Sequence, residues 1–154
     1  MELSELVVQP GILPSVKANS KKQLFQEIAG KARDLYGLQA RAVCEGLNER
    51  EKLGSTAMGN GIAVPHARLE GLDRIVGIFA RLERPLDFEA ADGLGVDLIF
   101  ALLVPEESGS DHLRALAKVS RLLRDRDVCA KLRATSERAA LFSLLIDQAR
   151  SEAA

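Results

Sequence analysis

Val96-Asp-Leu-Ile-Phe-Ala-Leu-Leu-Val104 places seven apolar residues in a row behind Asp97 and before Pro105-Glu106. A run this short, bounded by turn formers, reads as a strand buried on both faces. Ile75-Val-Gly-Ile-Phe-Ala-Arg-Leu82 reads the same way. Turn signals at Gly71-Leu72-Asp73, Arg84-Pro85 and Asp92-Gly93 separate these runs from their neighbours. The short gap between the two strands leaves little room for a parallel crossover, which takes a dozen or more residues. The sheet is therefore expected to be mixed. Ile62–Val64 is a third, shorter strand, and Ile12–Val16 follows an early turn at Pro10-Gly11 and contains Pro14.

Helices flank this centre. Ser20 and Gln23 have capping-box spacing, in which a hydroxyl and an amide satisfy each other's orphan backbone N–H groups. Leu24, Phe25, Ile28, Ala32 and Leu35 then recur at helical spacing, and Gly37 is a suitable stop. Ala40–Glu51 reads as a second helix with Val43 and Leu47 inward and Glu45, Asn48, Glu49 and Arg50 outward. Asp111–Arg124 reads as a third, with Leu113, Leu116, Ala117, Ser120 and Leu123 on one face. A short helix over Val128–Leu132 and a last one from Ser136, carrying Leu141, Leu144 and Leu145, complete the set. Helices at both ends and strands between them predict an α/β layered sandwich, a central mixed sheet flanked by helices.

Bulk composition narrows the function. The 154 residues suit one domain with a real core, 47% apolar and 28% charged. Basic and acidic residues number 21 and 22, which gives no support to nucleic-acid binding. Cys44 and Cys129 have no CxxC spacing, read as half-buried helical residues, and fit a reducing cytoplasm. The first fifteen residues lack a signal-peptide pattern, and no apolar run is long enough to insert into a membrane.

The chemistry points to Gly59-Asn-Gly-Ile-Ala-Val-Pro-His-Ala-Arg-Leu69. Gly59 and Gly61 allow close backbone approach to a ligand. Pro65 restricts Val64 to an extended shape and so fixes the direction of His66. A histidine held this way can bond a carbonyl through one ring nitrogen and offer the other as a lone pair. Ser55, Thr56 and the loop amides are candidate donors to an anion beside it, and Arg50 and Arg68 candidate charges. The second histidine, His112, opens a helix, whose positive end favours an anion and a neutral ring that donates one N–H to it. Spacing alone leaves His66 open as a structural residue. A zinc site lacks ligands, and a serine hydrolase lacks its nucleophile elbow.

Glu51, Met58-Gly59 and Ile62-Ala-Val-Pro-His66-Ala67, with Leu53-Gly-Ser-Thr-Ala-Met-Gly-Asn-Gly before them, resemble the active-histidine signature of the fructose/mannitol-type enzyme IIA domains of the bacterial phosphotransferase system. The longer stretch is most similar to the nitrogen-regulatory branch. The resemblance extends through Asp97–Pro105 and Asp111-His112-Leu113, and implies one domain of this type over residues 1–154. It implies that His66 accepts a phosphoryl group on Nε2 from an HPr-like carrier, that His112 hydrogen-bonds that group, and that Arg50 faces it. No cofactor and no metal are expected, since the glycine amides, His112 and Arg50 can stabilise such a group without one. Arg68 stands where the nitrogen branch often has a basic residue, and Ala57 replaces the usual glycine. Three functions follow: a regulatory phosphocarrier signalling to target proteins, a sugar-uptake IIA passing phosphate to a IIB component, or a binding module without transfer. Ala57, Met58 and Leu113 are candidate apolar contacts for the carrier.

Overall fold

The computed structural model describes residues 1–153. Its six strands are β1 (Ile12–Val16), β2 (Ala57–Gly59), β3 (Ile62–Ala63), β4 (His66–Leu69), β5 (Val76–Leu86) and β6 (Val96–Pro105). The helices are α1 (Leu3–Leu6), α2 (Lys21–Tyr36), α3 (Ala40–Leu53), α4 (Asp111–Arg124), α5 (Arg126–Arg133) and α6 (Arg138–Ala153), with a 3₁₀ turn at Gln9–Gly11. The strands form one sheet in the order β1-β5-β6-β3-β2, and β4 also pairs with β6. β5 and β6 run antiparallel, while β1 on β5 and both β3 and β4 on β6 run parallel. The expected mixed sheet is present.

β6 explains why its run is continuously apolar. Leu98, Phe100, Leu102 and Val104 pack into one core with Val119, Leu122, Leu132, Leu141 and Leu145 from α4, α5 and α6. Ile99, Ala101 and Leu103 pack into the other with Leu24, Phe25, Ile28, Val43 and Leu47 from α2 and α3. Each alternate side chain meets a different helical layer, so neither face tolerates polarity. Gly77 of β5 leaves space for the Phe100 ring, since a Cβ there would stand 2.5 Å from Phe100 Cε1.

Several elements differ from expectation. β5 runs through Arg84-Pro85 to Leu86 instead of turning there. Its register shifts between Arg81↔Leu98 and Leu86↔Val96, so residues 82–85 bulge opposite Asp97 alone. Pro85, with no N–H to donate, is accommodated in that bulge. The α4 face is rotated by about one residue: Ala115, Val119, Leu122 and Leu123 are buried, while Leu113 and Ala117 are exposed. The stripe with Val119 and Leu122 delivers more apolar bulk than the one through Ala117 and Ser120. Ser20 accepts from the Gln23 N–H at 3.1 Å, but the Gln23 side chain accepts from Asn19, not Ser20. Cys129 is fully buried, and only Cys44 is half-buried. α1, β2 and β4 are additional elements. Among the described residues, no helix is long and apolar enough to cross a membrane.

Candidate functional site

β3 stops at Ala63, and Val64-Pro65 interrupts the strand before β4 begins at His66. The Pro65 carbonyl accepts from the Leu102 N–H at 2.9 Å, so the break stays attached to β6. His66 thus opens a strand. Ala67 and Leu69 turn into the core with α2 and α3, and His66 and Arg68 turn to the opposite face. The His66 ring lies half-buried, with Nδ1 3.1 Å from the Val64 carbonyl. Only a protonated Nδ1 can donate there, so Nε2 carries the lone pair. The Arg50 Nε–H, from the last turn of α3, donates to that lone pair at 3.3 Å, and its Nη1 donates to the Gly54 carbonyl at 2.9 Å.

The electrostatics keep this nitrogen unprotonated. Burial lowers the His66 pKa below its ordinary value; the bond to Val64 opposes this, the charges of Arg50 and His112 add to it, and Glu51 opposes it weakly. The neutral ring is the form whose Nε2 can act as a nucleophile or base. Any reaction at that nitrogen is therefore expected to be flat with respect to this group at neutral pH. It should fall as pH drops through a midpoint below the ordinary histidine value of about 6.5, where the ring protonates. The same depressed pKa means that stability contributed by the neutral ring is present above that range and lost beneath it. A pH–rate profile, paired with an NMR titration of the ring, checks this; a midpoint at or above the ordinary value contradicts it.

His112 sits in the first turn of α4, half-buried, with Nδ1 2.6 Å from the Gly109 carbonyl. A neutral His112 therefore spends its one N–H on the backbone, and the expected N–H toward an anion is not available from that form. Arg68 lies with Nη2 3.5 Å from His112 Nε2, and its Nη1 donates to the carbonyls of Ser108 at 2.9 Å and Glu106 at 3.4 Å. The structure therefore groups His66 with Arg50, and Arg68 with His112.

Other expected donors are placed elsewhere. Ser55 donates its hydroxyl to the Phe88 carbonyl. Thr56 gives both its hydroxyl and its N–H to Glu51, at 2.6 Å and 3.0 Å. Neither hydroxyl is free for an anion. Gly59 and Gly61, with φ of 91° and 83°, flank Asn60 at φ 58° and form the turn between β2 and β3. Gly61 is level with Asp97, because its carbonyl accepts from the Asp97 and Leu98 N–H groups. His66 is level with Leu102. Five residues of strand, about 16 Å, separate the two, so the glycines serve the turn and not the histidine. A Cβ on Gly61 would stand 2.6 Å from the Arg133 guanidinium, which pairs with Asp97.

Glu51 is the residue that the pattern of the sequence left without a role. It is 8% exposed and accepts from Thr56 twice and from Lys21 Nζ at 3.2 Å. Lys21 also lies 5.1 Å over the Phe88 ring. This network holds the 54–56 loop, the loop's Gly54 carbonyl holds Arg50, and Arg50 meets His66. A carboxylate in the last turn of a helix opposes the helix dipole, and that was a legible sign of a dedicated partner.

A family profile described as "Phosphoenolpyruvate-dependent sugar phosphotransferase system, EIIA 2" matches residues 9–148. A nitrogen regulatory protein of Bradyrhizobium diazoefficiens is 54% identical over 145 residues, covering 94% of this chain and 95% of that protein. One from Pseudomonas aeruginosa is 41% identical, covering 93% and 94%. The crystal structure of the nitrogen regulatory protein IIA-Ntr of Neisseria meningitidis superposes with a TM-score of 0.86 at 35% identity, covering 93% of this chain and 98% of that one. The profile match runs through both helical layers and the strand that carries His66. The chain belongs to the EIIA type 2 family of the phosphoenolpyruvate-dependent sugar phosphotransferase system.

Proposed function

We propose that the chain is a regulatory phosphocarrier of the cytoplasm. His66 Nε2 takes a phosphoryl group from the phosphohistidine of an HPr-like carrier, and the phosphorylation state is read by target proteins. The observation that carries this is the ring's setting: Nδ1–H tied to Val64 and an Nε2 lone pair facing the Arg50 guanidinium. The P–N bond on the carrier breaks as the P–N bond to His66 forms, and the carrier's ring leaves with the electron pair. A loose transition state of this kind needs positioning and charge more than covalent assistance. Arg50 supplies charge from a 3.3 Å bond long enough to be given up to a phosphoryl oxygen.

Two exposed leucines support a docking surface around the site. Leu53, 85% exposed, lies three residues after Arg50; Leu113, 59% exposed, follows His112 directly. They are the two most exposed of the large apolar side chains. Met58 and Ala57 are half-buried beside the core. A small apolar centre suits a transient encounter with a carrier. The relatives named as nitrogen regulatory proteins, matched over nearly their whole length, favour regulation over sugar uptake. A phosphoryl group then adds roughly two negative charges beside those leucines, enough to alter what docks.

Incubation with a phosphorylated HPr-like carrier tests the reading. The expected result is a mass gain of one phosphoryl group, acid-labile, on the peptide spanning Gly59 to Leu69. A folded chain that stays unmodified overturns it.

A further inference from the structure

A second hollow opens beside the first residues of β6, away from His66. The α4–α5 junction, one face of α5, the β2–β3 turn and the β5 bulge enclose a cavity of about 450 Å³. Small-molecule sites ordinarily fall in the range of about 300–1,000 Å³. The inner wall is apolar. Ile62, Leu123 and Cys129 are buried there, and the Cys129 thiol donates to the Leu123 carbonyl at 3.3 Å. Pro85 and Leu94 continue the apolar surface outward, Leu94 at 54% exposure. Gly95 lets the β5 bulge close this side, since a Cβ there would stand 2.7 Å from Pro85 Cβ.

Three arginines line the same cavity: Arg124, Arg126 and Arg133. Arg133 is fixed. Its Nε donates to both Asp97 carboxylate oxygens, at 3.0 Å and 2.9 Å, and its Nη2 to the Asn60 carbonyl at 2.8 Å. Its Nη1 has no partner among the described residues. Arg124 and Arg126 are exposed and make no salt bridge and no side-chain hydrogen bond among the described residues. Arg126 also opens α5, where a cation opposes the helix dipole. The neighbouring carboxylates are engaged elsewhere. Asp125 accepts from the Asp127 and Val128 N–H groups and from Gln148, Asp92 accepts from the Asn60 and Leu94 N–H groups, and Asp97 is taken by Arg133. Asp127 is exposed and does not line the cavity.

We propose that this cavity binds a small organic phosphate monoester, with its phosphate on the arginines and its apolar body against Leu123, Pro85 and Leu94. Charge selects the head group. A phosphate monoester carries close to two negative charges, which Arg124 and Arg126 match. Guanidinium forks suit phosphate oxygens, and the unpartnered Nη1 of Arg133 is a donor already held in place. The apolar wall selects the body, because burying it favours the ester over free inorganic phosphate. Gly61 of this cavity and His66 are separated by the length of strand described above, so the proposal does not rest on phosphoryl transfer.

The probe is 1-naphthyl phosphate, titrated into the full chain at low salt and followed by ¹H–¹⁵N NMR, with inorganic phosphate and 1-naphthol as controls. Saturable shifts are expected at the Gly61, Gly95 and Cys129 amides, with inorganic phosphate weaker by about tenfold or more. Arg124→Ala and Arg126→Ala should each weaken binding about tenfold, the usual worth of a charge-assisted hydrogen bond. Leu94→Ala should narrow the gap between the ester and inorganic phosphate. All three side chains are exposed, so the variants are expected to keep the fold, and their amide spectra check it. Lys131→Ala removes an exposed cation of α5 outside the cavity and should bind as the parent does. Native affinity in both arginine variants overturns the proposal. So does inorganic phosphate or 1-naphthol binding as tightly as the ester, and so do shifts confined to residues around His66.

Discussion

His66→Ala is expected to accept no phosphoryl group from a carrier that labels the native chain fully. The ring provides the one imidazole lone pair that faces Arg50, and alanine leaves Arg50 opposite empty space. The loss should come without loss of fold. His66 is half-buried at the start of an edge strand, and its side chain bonds only Val64 and Arg50. Thermal unfolding of the variant should stay within a few degrees of the parent, by the usual cost of a partly exposed substitution. Intact mass after carrier incubation is the readout. Persisting label would contradict the assignment. Label moved to His112, which also offers an Nε2 lone pair beside an arginine, would show that the two rings are chemically equivalent and that Arg50 does not select between them.

Glu51→Ala should be the most damaging single change near the site. The native carboxylate satisfies a buried threonine N–H, its hydroxyl and an ammonium at once. Removal leaves these groups unpaired at low exposure, a situation that costs about 3–5 kcal/mol. For a chain of this size that lowers the melting temperature by about 10 °C or more. The 54–56 loop is then expected to loosen, and with it the carbonyl that holds Arg50, so acceptance should slow even at temperatures where the variant is folded. Glu89 supplies the control. It also reaches Lys21, at 3.8 Å, but is 82% exposed, and Glu89→Ala should leave both melting and transfer nearly unchanged. Equal losses in the two variants would place the stability in the lysine and not in the buried carboxylate.

The parts of this fold that could be read from the chain are those whose cause is local. β6 and the first stretch of β5 announce themselves because burial on both faces demands an unbroken apolar run. α2 is bracketed by Ser20 and Gly37, and Gly37 takes the left-handed conformation at φ 68° that ends the helix. β4 was hidden because two of its four residues, His66 and Arg68, are polar and serve the site. Pro85 misled because a proline normally marks a turn, and only the pairing with β6 shows the bulge that absorbs it.

The site divides in the same way. Val64-Pro65 marks His66 as a held ring, the family signature points to it and to Arg50, and the structure sets the two 3.3 Å apart. The role of Glu51 depends on Lys21, thirty positions earlier, and no local pattern reports that pairing. Gly59 and Gly61 seemed near His66 because they are near it in sequence, yet an extended chain carries them to the other end of β6. Ser55 and Thr56 offered donors whose acceptors, Phe88 and Glu51, the chain's order does not disclose.

The interruption at Val64-Pro65 leaves His66 on a backbone bonded to the central strand, whereas His112 follows a loop outside the sheet, held by the exposed Arg68 and by the Glu106 and Ser108 N–H groups on Leu69 and Pro105. The two walls of the site therefore differ in how fast they can open. Amides of β6, such as Leu102 on Pro65, are expected to exchange with solvent more slowly than those of the Glu107–Gly109 loop, which lies outside the sheet. On the phosphocarrier reading proposed above, a phosphoryl group on His66 would spend part of its binding free energy on ordering the softer wall. A partner would then sense the quieting of a segment as much as an added charge, and a signal of that kind can pass with almost no displacement of the acceptor.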